Sequence, residues 1–565
     1  MAAIITSHFR TLNANNFKDS VADPANSYYL FVGKSDAWSA AIDDTTDSEA
    51  PTPLDMTVEI NDAYQNMSAL KKITANDISN VMPRHASVSN VDTSLTWVSG
   101  ASFVAWDDTD PDIYSKPFYT ITDEYKVYKC IRAGAGTSTN KPTNVQTPPF
   151  SGADTYLWKF MYTVATADAV KFLTNFYIPV KTVTLPVTVT SATSNLTTTV
   201  TKVVGVAGQL SATDATQYGN QNENIAALKG KIYRYVVTDG GTGYNAAPTV
   251  TVTGDGTGAL ATATINGQGN VTAVTVTVTG EGFDINAGSN YSVANVTFTP
   301  VSGGTGAVAR AVLSPANGHG SNPVEELGGF YSGLSTSLTG AEGTDFIINN
   351  SFRQLGIVKN PFNHGTGVIL TNAGSGYSSV PAVTFSSGAA AATAILSGGT
   401  VIGITVTNGG TGYTVAPTVT IAAPGGGGTQ ATATATLVNG AVAKATATAS
   451  TLKALKGMKV SAATGLVIGS FFTATNGAKA YLDSWDTATG AIRYHQNDKT
   501  GYGTFVVTTS PSQTITGQGG GTATIDSLQN PEVDRFSGKI IFVENRAPIN
   551  RSASQIEDIK VITEF

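Results

Sequence analysis

Alternation of apolar and polar residues is the strongest pattern along this chain. From residue 182 to residue 200 the sequence TVTLPVTVTSATSNLTTTV places valine and threonine at nearly strict alternate positions. A period of two puts one residue type on each face of an extended chain, which is typical of a half-buried β-strand. The same alternation returns in later segments such as PTVTVTG and ATATATL. We therefore expect a mainly β protein.

Outside the alternating regions, the apolar runs are short and rich in aromatic residues. Strands are predicted at YYLFVG (28–33), YKVYKCI (125–131) and YLWKFMYTV (156–164), and near the C terminus at IIFVE and DIKVITEF. Residues 471–496 predict a strand–turn–strand pair in which TATG forms the turn. One helix is predicted at residues 76–81, where Pro83 would end it soon afterwards.

A glycine–tyrosine phrase recurs with the alternating segments. GGTGYNAAPTV begins at Gly240 and GGTGYTVAPTV begins at Gly409, and further copies contain Gly374 and, in degenerate form, Gly280. Tyr377 and Tyr413 are 36 residues apart, which is enough for three short strands and their turns. Each copy is too small to bury much surface alone, so we expect pairs of copies to stack or to share a sheet. The prolines of the phrase, Pro248, Pro381 and Pro417, fit the start of a strand, where no N–H donor is needed.

The changes in composition predict an aromatic-rich β core domain with minor α content, interrupted by two inserted all-β repeat domains. The predicted segments are the first part of the core (1–182), the first Gly/Thr-rich insertion (183–315), a return to the core (316–361), the second insertion (362–529) and C-terminal core strands (530–565). Glycines of the repeats are expected to supply turns with positive φ.

Charge and cysteine content exclude several classes of protein. The formal net charge is -7 and charged residues make up 13% of the chain, whereas nucleic-acid binding requires clustered lysine and arginine. Cys130 is the only cysteine, so no intrachain disulfide can form. No signal peptide is recognised at the N terminus, and no apolar run approaches the roughly 20 residues of a membrane span. We expect no nucleic-acid or membrane partner and synthesis in a cytoplasm.

Glycine-rich loops invite a comparison with phosphate-binding sites. GDGTGA (254–259) lacks the dinucleotide spacing and precedes a strand-like segment instead of a helix, and GGGG (425–428) has no Lys-Ser/Thr after it. Both are interpreted as turns, so no cofactor is expected.

No other pattern indicates catalysis or metal binding. The five histidines, at positions 8, 85, 319, 364 and 495, show no ligand spacing, and Cys130 lies inside an apolar strand. The acidic stretch 107–112 lacks the glycine and final glutamate of an EF-hand loop and is interpreted as a plain turn, although ion binding there stays open. Carboxylate pairs for glycoside hydrolysis need only spatial proximity, and the sequence singles none out. We predict no enzyme and no catalytic, cofactor-binding or metal-binding residues.

Segments outside the repeats resemble a known family. Eight motifs occur in one order: IITSHFRTLNANNF (4–17), YYLFVGKSDAWS (28–39), VYKCI (127–131), TPPF (147–150), YLWKFMYTV (156–164), TNFYIPV (174–180), SFRQLGIVKNP (351–361) and GKIIFVENRAPI (538–549). This series is similar to the baseplate wedge proteins of T-even-like contractile-tailed phages. The resemblance covers a little under half of the chain, and the Gly/Thr-rich insertions are not part of the family pattern.

The resemblance implies a structural virion protein with a mainly β fold and small helices. It also implies a homodimer within each wedge, contacts with other wedge proteins and with the peripheral baseplate proteins that carry fibres, and a place in the tail baseplate after assembly in the host cytoplasm. No catalytic residue is carried over from the family. The insertions are expected to project outward and to replace or supplement peripheral contacts.

Two alternatives remain at this stage. A carbohydrate-binding adhesin or tail-fibre-like protein would use the repeats for receptor binding, with Tyr244, Phe283, Tyr377 and Tyr413 as the available aromatic residues. A secreted β-rich hydrolase is the third possibility, for which neither a signal sequence nor an active site is recognised.

Overall fold

A computed structural model describes residues 6–39, 49–52, 57–85, 96–145, 148–181, 183–190, 197–204, 229–277, 286–315, 318–339, 350–364, 367–438, 441–442, 446–508, 512–550 and 555–565. Strands account for 48% of the structure and helices for 8%. The mainly β fold class predicted from the alternating pattern is therefore confirmed.

The helices are short and few among the described residues. They are α1 (Ser7–Ala22), α2 (Thr57–Asn66), α3 (Thr166–Phe172) and α4 (Pro323–Glu326), with single 3-10 turns at Ala75–Asp77 and Ile113–Ser115.

Strands occur along the whole described chain. The first are β1 (Tyr28–Gly33), β2 (Met67–Ile73), β3 (Ile78–Pro83), β4 (Tyr119–Ile121), β5 (Lys126–Arg132), β6 (Phe150–Ser151), β7 (Leu157–Thr163), β8 (Tyr177–Val180), β9 (Val183–Thr190) and β10 (Thr197–Val204). Next follow β11 (Ile232–Thr242), β12 (Thr249–Gly254), β13 (Thr257–Ala259), β14 (Ala261–Ile265), β15 (Val271–Val276), β16 (Ala287–Ser289), β17 (Ala294–Thr299), β18 (Thr305–Leu313), β19 (Tyr331–Thr339) and β20 (Ser351–Lys359). The next are β21 (Phe362–Asn363), β22 (Val368–Asn372), β23 (Ala382–Phe385), β24 (Ala391–Ser397), β25 (Thr400–Asn408), β26 (Thr418–Ile421), β27 (Thr432–Ala435), β28 (Leu437–Val438), β29 (Ala441–Val442) and β30 (Thr451–Lys453). The last are β31 (Lys456–Thr464), β32 (Phe471–Ala474), β33 (Lys479–Asp486), β34 (Ala491–His495), β35 (Thr514–Gly517), β36 (Thr522–Gln529), β37 (Val533–Asp534), β38 (Lys539–Asn550) and β39 (Ile556–Glu564).

The chain divides into two compact units, each built from separate stretches of sequence. Unit 1 comprises Met1–Asp19, Asp77–Ser335 and Lys560–Phe565, and unit 2 comprises Ser20–Asn76 and Thr336–Ile559. This division follows spatial contacts, whereas the five segments predicted above follow composition, and their boundaries stay a prediction.

The core of unit 1 is made of aromatic residues. One sheet has the order β4-β5-β7-β6 and another β39-β19-β3-β8. Their strands bury large side chains almost completely, including Tyr119, Tyr128, Trp158 and Tyr162. Aromatic rings remove much apolar surface per residue from water, so a few short strands suffice for a specific core.

The helix predicted at residues 76–81 is wrong. After a single 3-10 turn at Ala75–Asp77, the chain enters strand β3, which is hydrogen-bonded between β19 and β8. The Ile78, Val81 and Met82 side chains of this strand are buried. Pairing on both sides and burial of a β-branched apolar run favour the strand over the local helical preference.

Two six-stranded antiparallel sheets contain the glycine–tyrosine repeats. Repeat sheet 1 (residues 232–313) belongs to unit 1 and has the order β11-β18-β17-β12-β14-β15; repeat sheet 2 (368–435) belongs to unit 2 and has the order β22-β27-β26-β23-β24-β25. Each sheet takes three strands from its first copy of the repeat and three from its second. If the strands of the two copies are exchanged, the same strand order is obtained in reverse, so each sheet has twofold pseudosymmetry. The prediction that paired copies share a sheet is confirmed, whereas the degenerate glycine phrase at Gly280 lies outside the described residues.

Unit 2 also contains a five-stranded sheet and a closed barrel. The sheet has the order β30-β2-β1-β20-β38, and the barrel β31-β34-β33-β32-β35-β36. The turn predicted at TATG does connect two strands, β33 and β34. Residues 362–529, predicted as one insertion, thus contain two different structures, and the barrel carries no glycine–tyrosine phrase.

Candidate functional site

The glycine–tyrosine phrase forms the same turn wherever the structure describes it. Gly241, Gly374 and Gly410 have φ of 60°, 65° and 62°. Each of these glycines donates its N–H to the side chain two residues earlier, that is, to Asp239 at 2.8 Å, Asn372 at 2.9 Å and Asn408 at 2.9 Å. This Asx turn needs a short polar acceptor followed by a residue that accepts positive φ. A Cβ added to Gly241 would lie 2.4 Å from the Thr305 carbonyl oxygen, so glycine is required there.

The tyrosine of each phrase binds the opposite copy of its own sheet. The Tyr377 hydroxyl accepts from the Ala431 N–H at 2.9 Å and donates to the Ala422 carbonyl at 3.0 Å. Tyr413 accepts from the Ala390 N–H at 3.1 Å. In repeat sheet 1, Tyr244 accepts from the Ala307 N–H at 3.3 Å. These hydroxyls therefore fasten the two copies together.

This geometry limits what two of the repeat tyrosines can do. Tyr244 and Tyr377 are 3% and 6% exposed, so their faces are not platforms on which a sugar ring could stack. A strand, not a helix, is the next element after Gly241, Gly374 and Gly410, so no helix N-terminus is available for a phosphate at these three described turns. The interpretation of the phrase as a turn is confirmed.

Two arginines from other strands form ion pairs with the acidic turn at residues 107–112. Asp107 accepts from the N–H and the hydroxyl of Thr109, at 3.1 and 3.0 Å, as expected for a turn. It also pairs with Arg310 of β18 and, at 3.3 Å, with Arg234 of β11. Burial alone would raise the pKa of Asp107, but Arg310 and the Thr109 donors lower it below the usual range. The turn thus anchors two strands of repeat sheet 1.

The described part of the chain contains no cluster of side chains suited to bind a metal ion. No group of three or more histidine, cysteine or acidic side chains is arranged to hold an ion there. At the acidic turn, Lys116 pairs with Asp110 at 2.5 Å, so protein cations already compensate two of the carboxylates.

A buried ion pair lies in the aromatic core of unit 1. Lys129 on β5 places its Nζ 2.8 Å from Glu326 Oε2, 3.1 Å from His319 Nδ1 and 4.0 Å from the centroid of the Trp106 ring. The Glu326 carboxylate also accepts the Gly320 N–H at 2.8 Å. Burial lowers the pKa of Lys129, and Glu326 partly offsets that effect. Burial and the nearby lysine hold the pKa of His319 well below its usual value, so this imidazole is neutral.

A second buried cluster lies in unit 2, around His495 at the end of β34. His495 Nδ1 lies 2.8 Å from Asp483 Oδ2, and Nε2 lies 3.3 Å from Asp36 Oδ1. Lys34 and Lys499 also pair with Asp36, at 2.5 and 3.2 Å. Burial alone would lower the pKa of His495, but the two facing carboxylates raise it to about 9.

The His495 cluster lacks the contacts of a hydrolase triad. Ser35 donates its hydroxyl to Asp483, not to the histidine, so the nucleophile–base contact of a hydrolase is missing. His495 is 3% exposed and both ring nitrogens face carboxylates. A protonated imidazole in this position has no lone pair to act as a general base. The imidazolium of His495, which ends a barrel strand, forms an ion pair with Asp36 and thereby attaches that segment to the barrel.

Cys130, His85 and His8, which the sequence analysis considered as candidates for chemistry, lie apart from one another and do not form a site. The Cys130 thiol is fully buried, and burial raises its pKa, which makes it unreactive. His85 packs against the Tyr119 ring at 5.1 Å, and His8 lies on the surface 3.5 Å from Glu325. None of the helices in the described ranges has the length and apolarity needed to cross a membrane.

Sequence reasoning missed both buried clusters. Their members are scattered, as Asp36 and His495 show, and no spacing rule brings such residues together. The Asx acceptor of the turns did carry a signal, because Asp239, Asn372 and Asn408 all stand two residues before a glycine of the repeated phrase.

One comparison with known proteins gives a match. Residues 3–147 match the model of a family described as bacteriophage T4 Gp8, a baseplate wedge protein. The matched range is about a quarter of the chain and lies in the segment predicted as the first part of the core. No curated protein matches the chain. The family match indicates a structural component of a phage baseplate wedge.

Proposed function

We propose that this protein is a structural component of the baseplate wedge of a contractile phage tail, with two β-repeat insertions in its core. The observation that carries the proposal is the family match over residues 3–147. It contains the first motifs of the ordered series that resembles the wedge proteins.

The arrangement of the later motifs supports an interrupted core. Strand β1 lies in the matched range, whereas β20 and β38 lie far beyond it, in SFRQLGIVKNP and GKIIFVENRAPI. These three strands are neighbours in one sheet in the order β1-β20-β38. In their register Leu30 lies opposite Ile357, and Ile357 lies opposite Phe542. Segments that are distant in sequence but adjacent in one sheet are expected when other material has been inserted between them.

The entry and exit points of the repeat sheets support insertion as well. At repeat sheet 1, the Ser314 N–H donates to the Lys231 carbonyl at 3.3 Å. At repeat sheet 2, Phe362 and Thr446 form a β-bridge, and the Ala447 N–H donates to the Pro361 carbonyl at 2.8 Å. Each sheet thus leaves and rejoins the chain at one place.

The proposed role is mechanical and non-catalytic. It includes a homodimer in each wedge, contacts with neighbouring wedge proteins and with peripheral proteins that carry fibres, and a location in the virion after assembly in the host cytoplasm. Aromatic β cores with internal buried ion pairs are rigid, and rigidity suits a baseplate protein that must keep its shape while its neighbours move.

Cryo-electron microscopy of intact particles tests the proposal, with mass spectrometry of purified tails as the check on composition. We expect two copies of this chain in each wedge. Density for the chain at fibre tips, or tails that lack it, would contradict the proposal, and the former would favour a receptor-binding role.

A further inference from the structure

An amine, a carboxylate and an imidazole meet in the aromatic core of unit 1, where solvent does not reach them. Lys129 Nζ lies 2.8 Å from Glu326 Oε2 and 3.1 Å from His319 Nδ1. The side chains of these residues are 0%, 3% and 3% exposed. The Trp106 ring covers the amine at 4.0 Å and meets the imidazole edge-on at 5.1 Å. A nucleophile, a carboxyl carbon and a proton carrier are therefore held together in a dry site.

The two oxygens of the Glu326 carboxylate have different surroundings. Oε1 accepts the N–H groups of Gly320 at 2.8 Å and of Asn322 at 3.2 Å, both from the loop that leads into α4. Oε2 is the oxygen that contacts Lys129, and the Gly320 N–H reaches it as well, at 3.0 Å. Fixed backbone N–H groups stabilise the negative charge that forms on an oxygen when a nucleophile adds to its carbon. Oε1 is therefore suited to hold that charge, and Oε2 is suited to leave.

The charges of this cluster favour a neutral product. Lys159 is a second buried lysine, and the negative charge of Glu326 acts on both amines. Burial lowers the pKa of Lys129 and lowers that of Lys159 to about 8, which favours unprotonated amines. An amide between Lys129 and Glu326 would remove two ions from a core in which ions are costly. Lys159 Nζ donates to the Phe160 carbonyl at 2.8 Å, a bond that a neutral amine keeps.

We propose that Lys129 and Glu326 condense to an amide that cross-links the core of unit 1. The ammonium first gives one proton to the carboxylate, and the neutral amine then forms a bond from Nζ to Cδ. The second proton of the nitrogen passes through His319 Nδ1, which lies 4.0 Å from Oε2, to the leaving oxygen. The bond between Cδ and Oε2 breaks and this oxygen departs as water. An ammonium and a carboxylate together contain the atoms of an amide and one water, so no oxidant, reductant or co-reactant is required.

The amide would close a covalent ring around repeat sheet 1. Residues 129 and 326 stand on opposite sides of this sheet (232–313) along the chain. Tension between the ends of the chain would then pass through the amide and leave the sheet unloaded. The reaction is intramolecular and takes place in the isolated chain, so this proposal and the baseplate assignment fail independently.

Mass spectrometry of the purified full chain under denaturing conditions tests the cross-link. We expect an intact mass lower by one water than the sequence requires, and a branched peptide that contains both Lys129 and Glu326 after proteolysis. The full sequence mass in folded wild-type protein would overturn the proposal. Loss of water that maps to an aspartate, as in a cyclic imide, would overturn it as well.

Variants assign the roles of the individual side chains. Lys129→Met and Glu326→Ala should restore the full sequence mass, allowing for the substitution itself. Lys159→Met is the matched control, since it removes the neighbouring buried amine and should still lose one water. His319→Gln should slow the appearance of the cross-linked mass after a short induction about a hundredfold, the contribution of a positioned proton carrier. A cross-link that persists in Lys129→Met or disappears in Lys159→Met would overturn the assignment, and an unchanged rate in His319→Gln would overturn the role of the histidine.

Discussion

Repeat sheets 1 and 2 share one strand order but are attached to their units by different chemistry. Repeat sheet 1 uses charge, since Arg234 and Arg310 reach Asp107 of the core. Repeat sheet 2 has no such residues, because no Asp, Glu, Lys, Arg or His occurs between His364 and Lys444.

The uncharged attachment of repeat sheet 2 consists of smaller contacts. The Ser397 hydroxyl donates to Asp498 at 2.7 Å. At Gly403, β25 also packs beside the Phe536 ring, which would lie in ordinary van der Waals contact, 3.5 Å from an added Cβ. The comparison teaches that the repeated turn chemistry determines the fold of each sheet, whereas residues outside the repeated phrase determine how firmly the sheet is held.

Paired deletions should give the largest difference between the two sheets. Replacing residues 231–314 with a short Gly/Ser linker should prevent unit 1 from folding. Ile131 and Leu157 of the core pack with Tyr233 and Ala287 of this segment, and exposing them costs about 2 kcal/mol each. The same deletion leaves Asp107 without its arginines. Soluble yield and circular dichroism measure the outcome.

Deletion of residues 363–445 is the matched experiment on repeat sheet 2. The bridge between Phe362 and Thr446 lets a short linker close the gap, and we expect a folded protein with a somewhat lower melting temperature. Equal loss of folding in both deletions would refute the contrast between a firmly and a loosely held sheet.

His495→Gln should have the next largest effect, and its pH dependence separates the two units. Removing the imidazolium leaves Asp36 and Asp483 buried without their shared cation, which costs unit 2 about 3–5 kcal/mol near neutral pH. The pKa of His495 is about 9 in the folded protein and about 6.5 when unfolded. Its contribution is therefore complete below about pH 6.5 and is lost as the pH rises through about 9.

The stability of unit 1 should depend on pH in a different way from that of unit 2. Burial lowers the pKa of Lys159 to about 8, so the cost of burying this charge decreases as the pH rises above that value. The lowered pKa of Asp107 stabilises unit 1 above the ordinary carboxyl range, and that contribution is lost as the pH falls.

Hydrogen exchange of β34 between about pH 6.5 and 9 measures the effect of His495 locally. His8→Gln, on the exposed His8, is the control and should leave the profile of β34 unchanged. A wild-type profile in His495→Gln would show that the histidine is neutral in the folded protein.

The sequence predicted what depends on local pattern and missed what depends on long-range contact. YYLFVG became β1 and PTVTVTG contains β12, because alternation and apolar runs determine strands locally. Pro248, Pro381 and Pro417 stand immediately before strands, as expected from their missing donor. The segment 76–81 failed because pairing of β3 on both sides outweighed its helical pattern. The six-stranded barrel and the His495 cluster were missed because no local spacing specifies a closed sheet or a contact between residues 36 and 495.

Asp107→Asn should have an intermediate effect, confined to unit 1. The ion pairs of Asp107 are mostly but not fully buried, with the arginine side chains 26% and 33% exposed. We therefore expect a loss of about 1–3 kcal/mol, below that of a fully buried pair. Ser397→Ala is the counterpart in unit 2 and should cost about 1 kcal/mol or less, since one hydrogen bond is removed.

Salt provides the readout for this pair of variants. Exchange at β11 and β18 of the wild type should become faster as salt is raised, and Asp107→Asn should abolish that dependence. Exchange at β25 should be insensitive to salt in both proteins. Salt-dependent exchange at β25 would mean that charges outside repeat sheet 2 hold it after all.

Tyr377→Phe and Tyr244→Phe should give the smallest effects and should differ between the sheets. In repeat sheet 2 the change removes an acceptor from the Ala431 N–H and a donor from the Ala422 carbonyl, so we expect a loss of about 1–2 kcal/mol. In repeat sheet 1 it removes the longer 3.3 Å bond to the Ala307 N–H, and about 1 kcal/mol or less should be lost.

Amide exchange at Ala431 and at Ala307 measures each bond where it is made. Faster exchange at the affected alanine, with little change in the other sheet, would show that the tyrosine hydroxyl fastens the two copies of its own sheet. If Tyr377→Phe leaves the Ala431 amide protected, ring packing and not the hydroxyl holds the copies together, and the shared fold of the two sheets rests on the Asx–glycine turns alone.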